Sequence, residues 1–236
     1  MHDLKEKIVA IVPAAGIGSR MAADVPKQYL KIAGQSILSL TLQVFLTHPK
    51  IGSVIIALHP QDRYFSSLPE ARDPKLLRVV GGEERSDSVL ACLNRVDRDC
   101  WAMVHDAARP CLTHSDIDKL IDSRDLFPQG AILASPVRDT MKRGDKQGRI
   151  EQTVCREQLW HALTPQFFPV MSLRDNLAKA IALKVNITDE ASAMEWAGIA
   201  PGLVTGRGDN IKITHPDDLR LAKLFLCHGE VNNLEC

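Results

Sequence analysis

The chain has 236 residues, with 29 lysines and arginines against 29 aspartates and glutamates, so its formal net charge is zero. The missing basic excess argues against a protein built to grip nucleic acid polymers or an anionic membrane, and the 5% aromatic content argues against stacking platforms for single strands. With 45% hydrophobic and 25% charged residues, the composition is that of a folded α/β protein of one large or two small domains, burying roughly 70–75% of its unfolded surface without a staple.

Residues 1–7 alternate charges and lack the apolar core of a signal peptide, and no apolar run reaches the length of a membrane span. The six cysteines form no C-x-x-C pair and the eight histidines no H-x-x-x-H pair, so a zinc site is not expected. Reduced thiols in a cytoplasmic protein are the expectation.

Along the chain, short β-branched runs alternate with helix-period segments. Ile8 to Val12 is almost wholly apolar, as a strand buried on both faces requires. Ser36 offers a cap for a helix through Ile37, Leu38, Leu42 and Phe45. Further strands are expected at 54–58, 77–80, 101–104 and 131–134, with a helix capped by Ser86 or Asp87 and another through Ile117, Leu120 and Ile121. After the interruption described next, helical spacing resumes at Leu173, Leu177 and Ile181, then at 191–196, and a last helix starts behind Pro216 with Asp217 and Asp218. This alternation predicts a Rossmann-like, mostly parallel sheet with helices on both faces, in a single domain spanning 1–236.

Residues 137–160 break that rhythm. They are polar, dense in charge and centred on Gly144-Asp145-Lys146-Gln147-Gly148, a hairpin turn by composition. Met141, Ile150 and Val154 are too few to make a core, so this inserted β-arm is expected to pack on a second subunit in a twofold dimer.

The first strand runs into Pro13-Ala14-Ala15-Gly16-Ile17-Gly18-Ser19-Arg20-Met21. Only half of the dinucleotide fingerprint is present, since Met21 stands at the third glycine position, and a Walker A loop is absent. Small residues at a strand end let backbone N–H groups approach an anion. With Arg20 inside the loop and Lys27 just beyond Pro26, the pattern suits a triphosphate better than a nicotinamide.

The strings PAAGIGSRM, VPKQYL, GGEERSDSVLACL, VHDAARP, PVRDTMKR, LWHALTPQFF, TDEASAMEW and NIKIT follow in this order over nearly the whole chain. The series strongly resembles the 2-C-methyl-D-erythritol 4-phosphate cytidylyltransferase family of the non-mevalonate isoprenoid pathway. That resemblance implies transfer of a cytidylyl group from CTP to methylerythritol phosphate, releasing pyrophosphate, with Mg²⁺ or another divalent cation, in a homodimer. It puts Arg20 and Lys27 at the positions that stabilise the transition state. Ala14, Ala15, Gly16 and Gly18 would line the nucleotide pocket, while Gly81, Gly82, Glu83 and Ser88 close around cytosine and ribose. Arg85 is expected to support that loop.

Asp106 ends the fourth strand, where a carboxylate could hold the cation, contact the second substrate or simply pair with Arg109; Asp209 is a weaker metal candidate. Arg109, Thr140, Arg156, Thr188 and Lys212 would hold methylerythritol phosphate, with Arg156 and Lys212 orienting the attacking phosphate. The resemblance assigns Arg156 and Thr188 to the neighbouring subunit. His105 and His161 are expected to be structural, because an ionised phosphate needs no general base, and Arg207-Gly208-Asp209 is expected to be an ordinary loop. The rival readings are a cytidylyltransferase for another polyol phosphate, such as ribitol 5-phosphate, and a non-catalytic nucleotide-binding module.

Overall fold

In the computed structural model, which describes residues 7–16 and 25–228, strand β1 is Ile8–Ala14. Its side chains alternate between two cores. Ile8, Ala10, Val12 and Ala14 enter one, and Val9 and Ile11 the other, as the two-residue period of a strand covered on both faces dictates. A short antiparallel pair, β2 (Lys31–Ile32) and β3 (Gln35–Ser36), leads to helix α1 (Ile37–Thr47), whose expected cap is present: Ser36 Oγ accepts from Ser39 N–H at 3.0 Å.

Strands β4 (Ile51–Leu58) and β5 (Leu76–Val80) come next, then helix α2 (Arg85–Leu93). Its N-cap is Glu84 rather than Ser86 or Asp87. Asp87 instead closes a capping box, its carboxylate accepting from Glu84 N–H at 3.1 Å. Strand β6 (Trp101–Val104), helix α3 (His114–Asp122) and strand β7 (Ala131–Pro136) follow. After a hairpin of β8 (Met141–Gly144) and β9 (Ile150–Val154), the chain returns as β10 (Trp160–Pro169), then α4 (Val170–Ala182), α5 (Glu190–Trp196), β11 (Gly202–Thr205) and α6 (Pro216–His228).

Seven strands form one sheet in the order β11-β7-β10-β6-β1-β4-β5. Every neighbouring pair is parallel except those of β10, which runs antiparallel to both β6 and β7. One face is covered around Leu38, Leu42, Phe45, Ile117 and Leu120, the other around Val89, Leu93, Leu173, Leu177 and Met194. The expected mostly parallel sheet is therefore present.

Strands β10 and β11 were not among the expected elements. Pro165 and the polar Thr164 and Gln166 sit in the middle of β10, which by composition disqualifies a central strand. The strand tolerates them because its register shifts between Ala162 and Gln166, and because both buried polar side chains are hydrogen-bonded.

The sheet order reverses at β1, which has β4 and then β5 on one side and β6 on the other, so a crevice opens beyond the carboxyl ends of β1, β4 and β6. The hairpin, by contrast, is a two-stranded sheet of its own. Its turn is tied by the Asp145 carboxylate, which accepts from the N–H groups of Gln147 and Arg149 at 2.9 Å each, and Ile150 stands 68% exposed. Cys92, Cys100, Cys111 and Cys155 are free thiols, but Cys227 is disulfide-bonded, against the expectation of reduced cysteines throughout. Among the described residues no helix is long and apolar enough to cross a membrane.

Candidate functional site

The crevice holds two adjoining pockets. The first, a cleft of about 290 Å³, has Ala14, Ala15 and Gly16 at the end of β1 as one wall. Gly82, Glu83 and Ser88, before and within the first turn of α2, form the facing wall, and Lys27, Asp106 and Lys212 close its end. The two walls touch: a Cβ on Gly81 would lie 2.4 Å from Ala15 Cβ and 2.9 Å from Ser88 Oγ, so only glycine permits this approach. Ser88 Oγ accepts from Gly82 N–H at 3.1 Å and donates to Glu84 O at 3.2 Å, fixing the loop to its own helix. The buried amide of Gln28 does the same for the opposite wall, donating to Ala14 O at 2.9 Å and Gly16 O at 3.1 Å. Lys27 Nζ donates to Ile213 O at 3.1 Å, which ties it to the segment carrying Lys212. Gly18 and Arg20 lie outside the described residues.

Asp106 lies two residues beyond the end of β6, at the junction of both pockets. Its side chain is only 9% exposed, yet three cations surround it: Arg85 Nε at 3.0 Å from Oδ1, with Lys212 Nζ at 3.0 Å and Arg109 Nε at 3.4 Å from Oδ2. Burial by itself would push this carboxyl up, but the charges of Arg85, Lys212 and Arg109 prevail and hold it well below the usual carboxylate range. Asp106 is therefore an anion throughout the physiological range.

Behind it, His105 Nε2 faces Arg109 O at 3.0 Å and Nδ1 faces Thr164 Oγ1 at 2.9 Å. Only an Nε2–H can face that carbonyl, so Nδ1 accepts the Thr164 hydroxyl proton, and Thr164 Oγ1 in turn accepts from Asp106 N–H at 3.2 Å. Full burial pulls His105 down to about 4, so it is neutral at pH 7 and acts as a fixed hydrogen-bonding wedge, as expected of a structural histidine.

The second pocket, about 190 Å³, lies on the other side of Asp106, lined by Arg85, Arg109, Thr164, Gln166, Thr188 and Lys212 among others. Arg109 Nη1 donates to Asn210 O at 2.7 Å, and burial lowers its pKa from the ordinary arginine value. Thr188, expected from a neighbouring subunit, lines the pocket of its own chain. It precedes Asp189, the cap of α5, whose carboxylate accepts from Ser192 N–H at 2.9 Å. Gln166 anchors this turn to β10, donating to Asp189 Oδ2 at 2.8 Å and accepting from Ala191 N–H at 2.9 Å.

Two expected contributors lie elsewhere. Thr140 and Arg156 flank the hairpin, are exposed and line neither pocket of their own chain. Asp209 also lines neither; its Oδ2 takes Arg207 Nη2 at 2.6 Å, which pairs the charged residues of the Arg-Gly-Asp loop with each other. Among the described residues no three acidic, histidine or cysteine side chains converge as a metal cage.

Arg85 is more central than the loop support expected of it, because it faces both pockets and joins Asp106 to Glu190. The role of Glu190 was not anticipated at all. Its only sequence signal was membership of the TDEASAMEW string, and nothing local indicates that Arg85 lies across from it.

The profile of the 2-C-methyl-D-erythritol 4-phosphate cytidylyltransferase family matches residues 8–228. The chain belongs to that family. A Shewanella sediminis protein of that name is 68% identical over 235 residues, with 100% of both chains covered, and one from Shewanella oneidensis is 63% identical, covering 98% of this chain and 92% of the relative. The fold matches a Francisella tularensis 2-C-methyl-D-erythritol 4-phosphate cytidylyltransferase with a TM-score of 0.82 at 35% identity, over 94% of this chain and 100% of that one. A solved 4-diphosphocytidyl-2C-methyl-D-erythritol synthase gives the same TM-score at 33% identity, covering 94% and 99%.

Proposed function

We propose that the chain transfers the cytidylyl group of CTP to 2-C-methyl-D-erythritol 4-phosphate, releasing pyrophosphate. The observation that carries this reading is the pair of pockets sharing one charged wall, Arg85, Asp106 and Lys212, at the switch point of a sheet whose sequence belongs to the cytidylyltransferase family. Two polyanions that must react need adjacent sites with cations between them.

The first cleft is the nucleotide site. Its walls are backbone from residues 14–16 and 82–83 drawn together at Gly81, a narrow slot suited to a pyrimidine and its phosphates. The second pocket takes the polyol phosphate, with Arg109, Thr188 and Lys212 as its polar lining. A phosphate oxygen of that substrate attacks the α-phosphorus in line, and negative charge builds on the phosphorus and on the leaving oxygens. Lys27 supplies a positioned charge at the cleft end, with Arg20 proposed beside it, and Lys212 lies between attacking and attacked phosphates. Holding both polyanions in attacking geometry is itself a large part of the acceleration.

A divalent cation, Mg²⁺ being the proposed one, would neutralise charge on the triphosphate. Asp106 would hold it. One carboxylate fits a hard cation that takes its remaining ligands from phosphates and water, provided that the partly exposed Lys212 releases Oδ2 to a phosphate.

Thr140 and Arg156 reach neither pocket of their own chain, so their expected contact with the polyol phosphate requires a second copy. A homodimer in which the arm 137–160, inserted into one nucleotidyltransferase domain, enters the partner's site meets that requirement. A cytoplasmic location accords with the free thiols of Cys92, Cys100, Cys111 and Cys155, and the disulfide of Cys227 stands against it.

The test is pyrophosphate release by purified protein given CTP, Mg²⁺ and either methylerythritol phosphate or ribitol 5-phosphate. Release only with methylerythritol phosphate is expected. Release with ribitol phosphate alone, or with neither, overturns the assignment.

A further inference from the structure

Beside the two pockets, the mechanism leaves the buried Glu190 without a task. Glu190, the first residue of α5, is 1% exposed, and Arg85 grips it with both terminal nitrogens, Nη1 to Oε1 at 2.6 Å and Nη2 to Oε2 at 3.1 Å. The remaining guanidinium nitrogen, Nε, holds Asp106 Oδ1 at 3.0 Å. One planar, rigid fork therefore spans two carboxylates on different elements. Burial would lower the pKa of Arg85, but Glu190 and Asp106 together drive it above the ordinary arginine value, so the fork is always charged.

The elements at its two ends matter. Arg85 opens α2 directly behind the Gly82–Glu84 wall of the nucleotide cleft. Glu190 follows Thr188 and Asp189, which line the second pocket, and Gln166 ties the same turn to β10 from behind. Asp106, between them, shares its other oxygen with Arg109 and with Lys212, whose side chain, 40% exposed, is the most exposed of the group. A phosphate in either pocket competes with Asp106 for Lys212. Once Lys212 turns to it, Asp106 Oδ2 is open to the proposed cation while Oδ1 stays with Arg85, which cannot follow Asp106 without rotating its fork against Glu190.

We propose that the Arg85–Glu190 pair is a positioning strut coupling the two pockets, so that filling the nucleotide cleft tightens the polyol phosphate pocket and the reverse. Neither residue donates or removes a proton in the reaction; the pair acts through Asp106 and through the turn that carries Thr188. Thermodynamic linkage makes the effect reciprocal, and wild-type protein should show a synergy of about tenfold, within the 5–150-fold range of ordinary coupling.

This inference rests on the assignment of the two pockets to CTP and methylerythritol phosphate, and its test separates the two. The dissociation constant of α,β-methylene-CTP, which cannot transfer its nucleotidyl group, is measured with and without saturating methylerythritol phosphate. It is measured for wild-type protein, Glu190→Gln and Arg85→Lys. Synergy in the wild type should fall below about twofold in both variants, while Glu190→Gln binds the analogue alone almost normally. If the single variants fail to fold, the double variant R85L/E190M removes both charges together, an exchange that buried pairs often tolerate. Undiminished synergy in the folded variants overturns the strut, as does absent synergy in a wild-type enzyme that still turns over. A wild-type protein that binds neither ligand and releases no pyrophosphate instead sinks the functional assignment.

Discussion

Around Asp106, two buried carboxylates and the largely buried Arg109 are packed with Arg85 and Lys212, whose side chains are 29% and 40% exposed. In the hairpin from Met141 to Val154 the same kinds of side chain face solvent. Arg149 pairs with Asp145 at 2.8 Å, as close as the contacts of Asp106, yet Arg149 is 75% exposed. Distance is thus not what separates the two regions. In the crevice the carboxylates of Asp106 and Glu190 are buried, so the charges beside them interact with less screening and shift protonation. In the hairpin, solvent and salt screen the pair, and it contributes little. The crevice takes its lining from its own chain, whereas the hairpin holds its shape through backbone pairing and an Asp145 turn and, in the proposed dimer, offers Thr140 and Arg156 to the partner.

The largest effect should come from removing a charge on the completed side. Lys27→Ala is expected to lower kcat by about 10²–10³-fold, the scale of losing one preorganised donor. Near-normal turnover in a folded variant would contradict it. On the unfinished side, Arg156→Ala should lower kcat/KM for methylerythritol phosphate by roughly tenfold to a hundredfold, through misplacement of the attacking group, with thermal stability unchanged. An equal loss for CTP binding would show that the arm serves a different site.

A third prediction concerns acid. The folded-state pKa of His105, about 4, lies below the ~6.5 of an unfolded histidine. The unfolded chain therefore binds the extra proton between those values. The stabilising contribution is complete above about 6.5 and is lost as pH falls towards 4, about 2 kcal/mol of it by pH 5. Asp106, also held low, adds a further loss below the ordinary carboxylate pKa of ~3.9. Urea midpoints at pH 7 and pH 5 should show the His105 drop, and His105→Gln should flatten it. An equal drop in both proteins would rule it out.

The smallest effect belongs to the hairpin surface. Ile150→Asp should change the unfolding free energy by no more than ~0.5 kcal/mol, as for an exposed position, while sedimentation shows the proposed dimer weakened. A large loss of stability in the isolated chain would mean that the hairpin belongs to the core after all.

What was legible in the sequence follows the same division. The strands of the first half are short and apolar with helical stretches between them, so local pattern revealed them. The pocket wall at residues 14–16 follows from small residues at a strand end, whereas the wall at 82–83 came from the family resemblance. Strand β10 was hidden because Thr164, Pro165 and Gln166 interrupt its buried apolar residues Leu163, Phe167 and Phe168, and the hydrogen bonds of Thr164 and Gln166 go to His105 and Asp189, residues distant in sequence. Arg85 and Glu190 are 105 positions apart, and no periodicity connects them. The hairpin was legible through its turn composition, but neither pocket takes in Arg156 or Thr140 of the same chain. Thr188 shows the limit of motif transfer: it was assigned to the neighbouring subunit, and the fold sets it in its own pocket.

The division between a self-completed half-site and a borrowed one has a direct test. Lys27→Ala and Arg156→Ala subunits, each purified with its own reduced activity measured, are mixed under verified subunit exchange and assayed for pyrophosphate release from CTP and methylerythritol phosphate at a concentration far below KM. Random exchange makes about half of the dimers mixed, each with one intact site of two, so about a quarter of wild-type activity should return. No recovery despite exchange would mean that Lys27 and Arg156 do not serve a site shared between subunits.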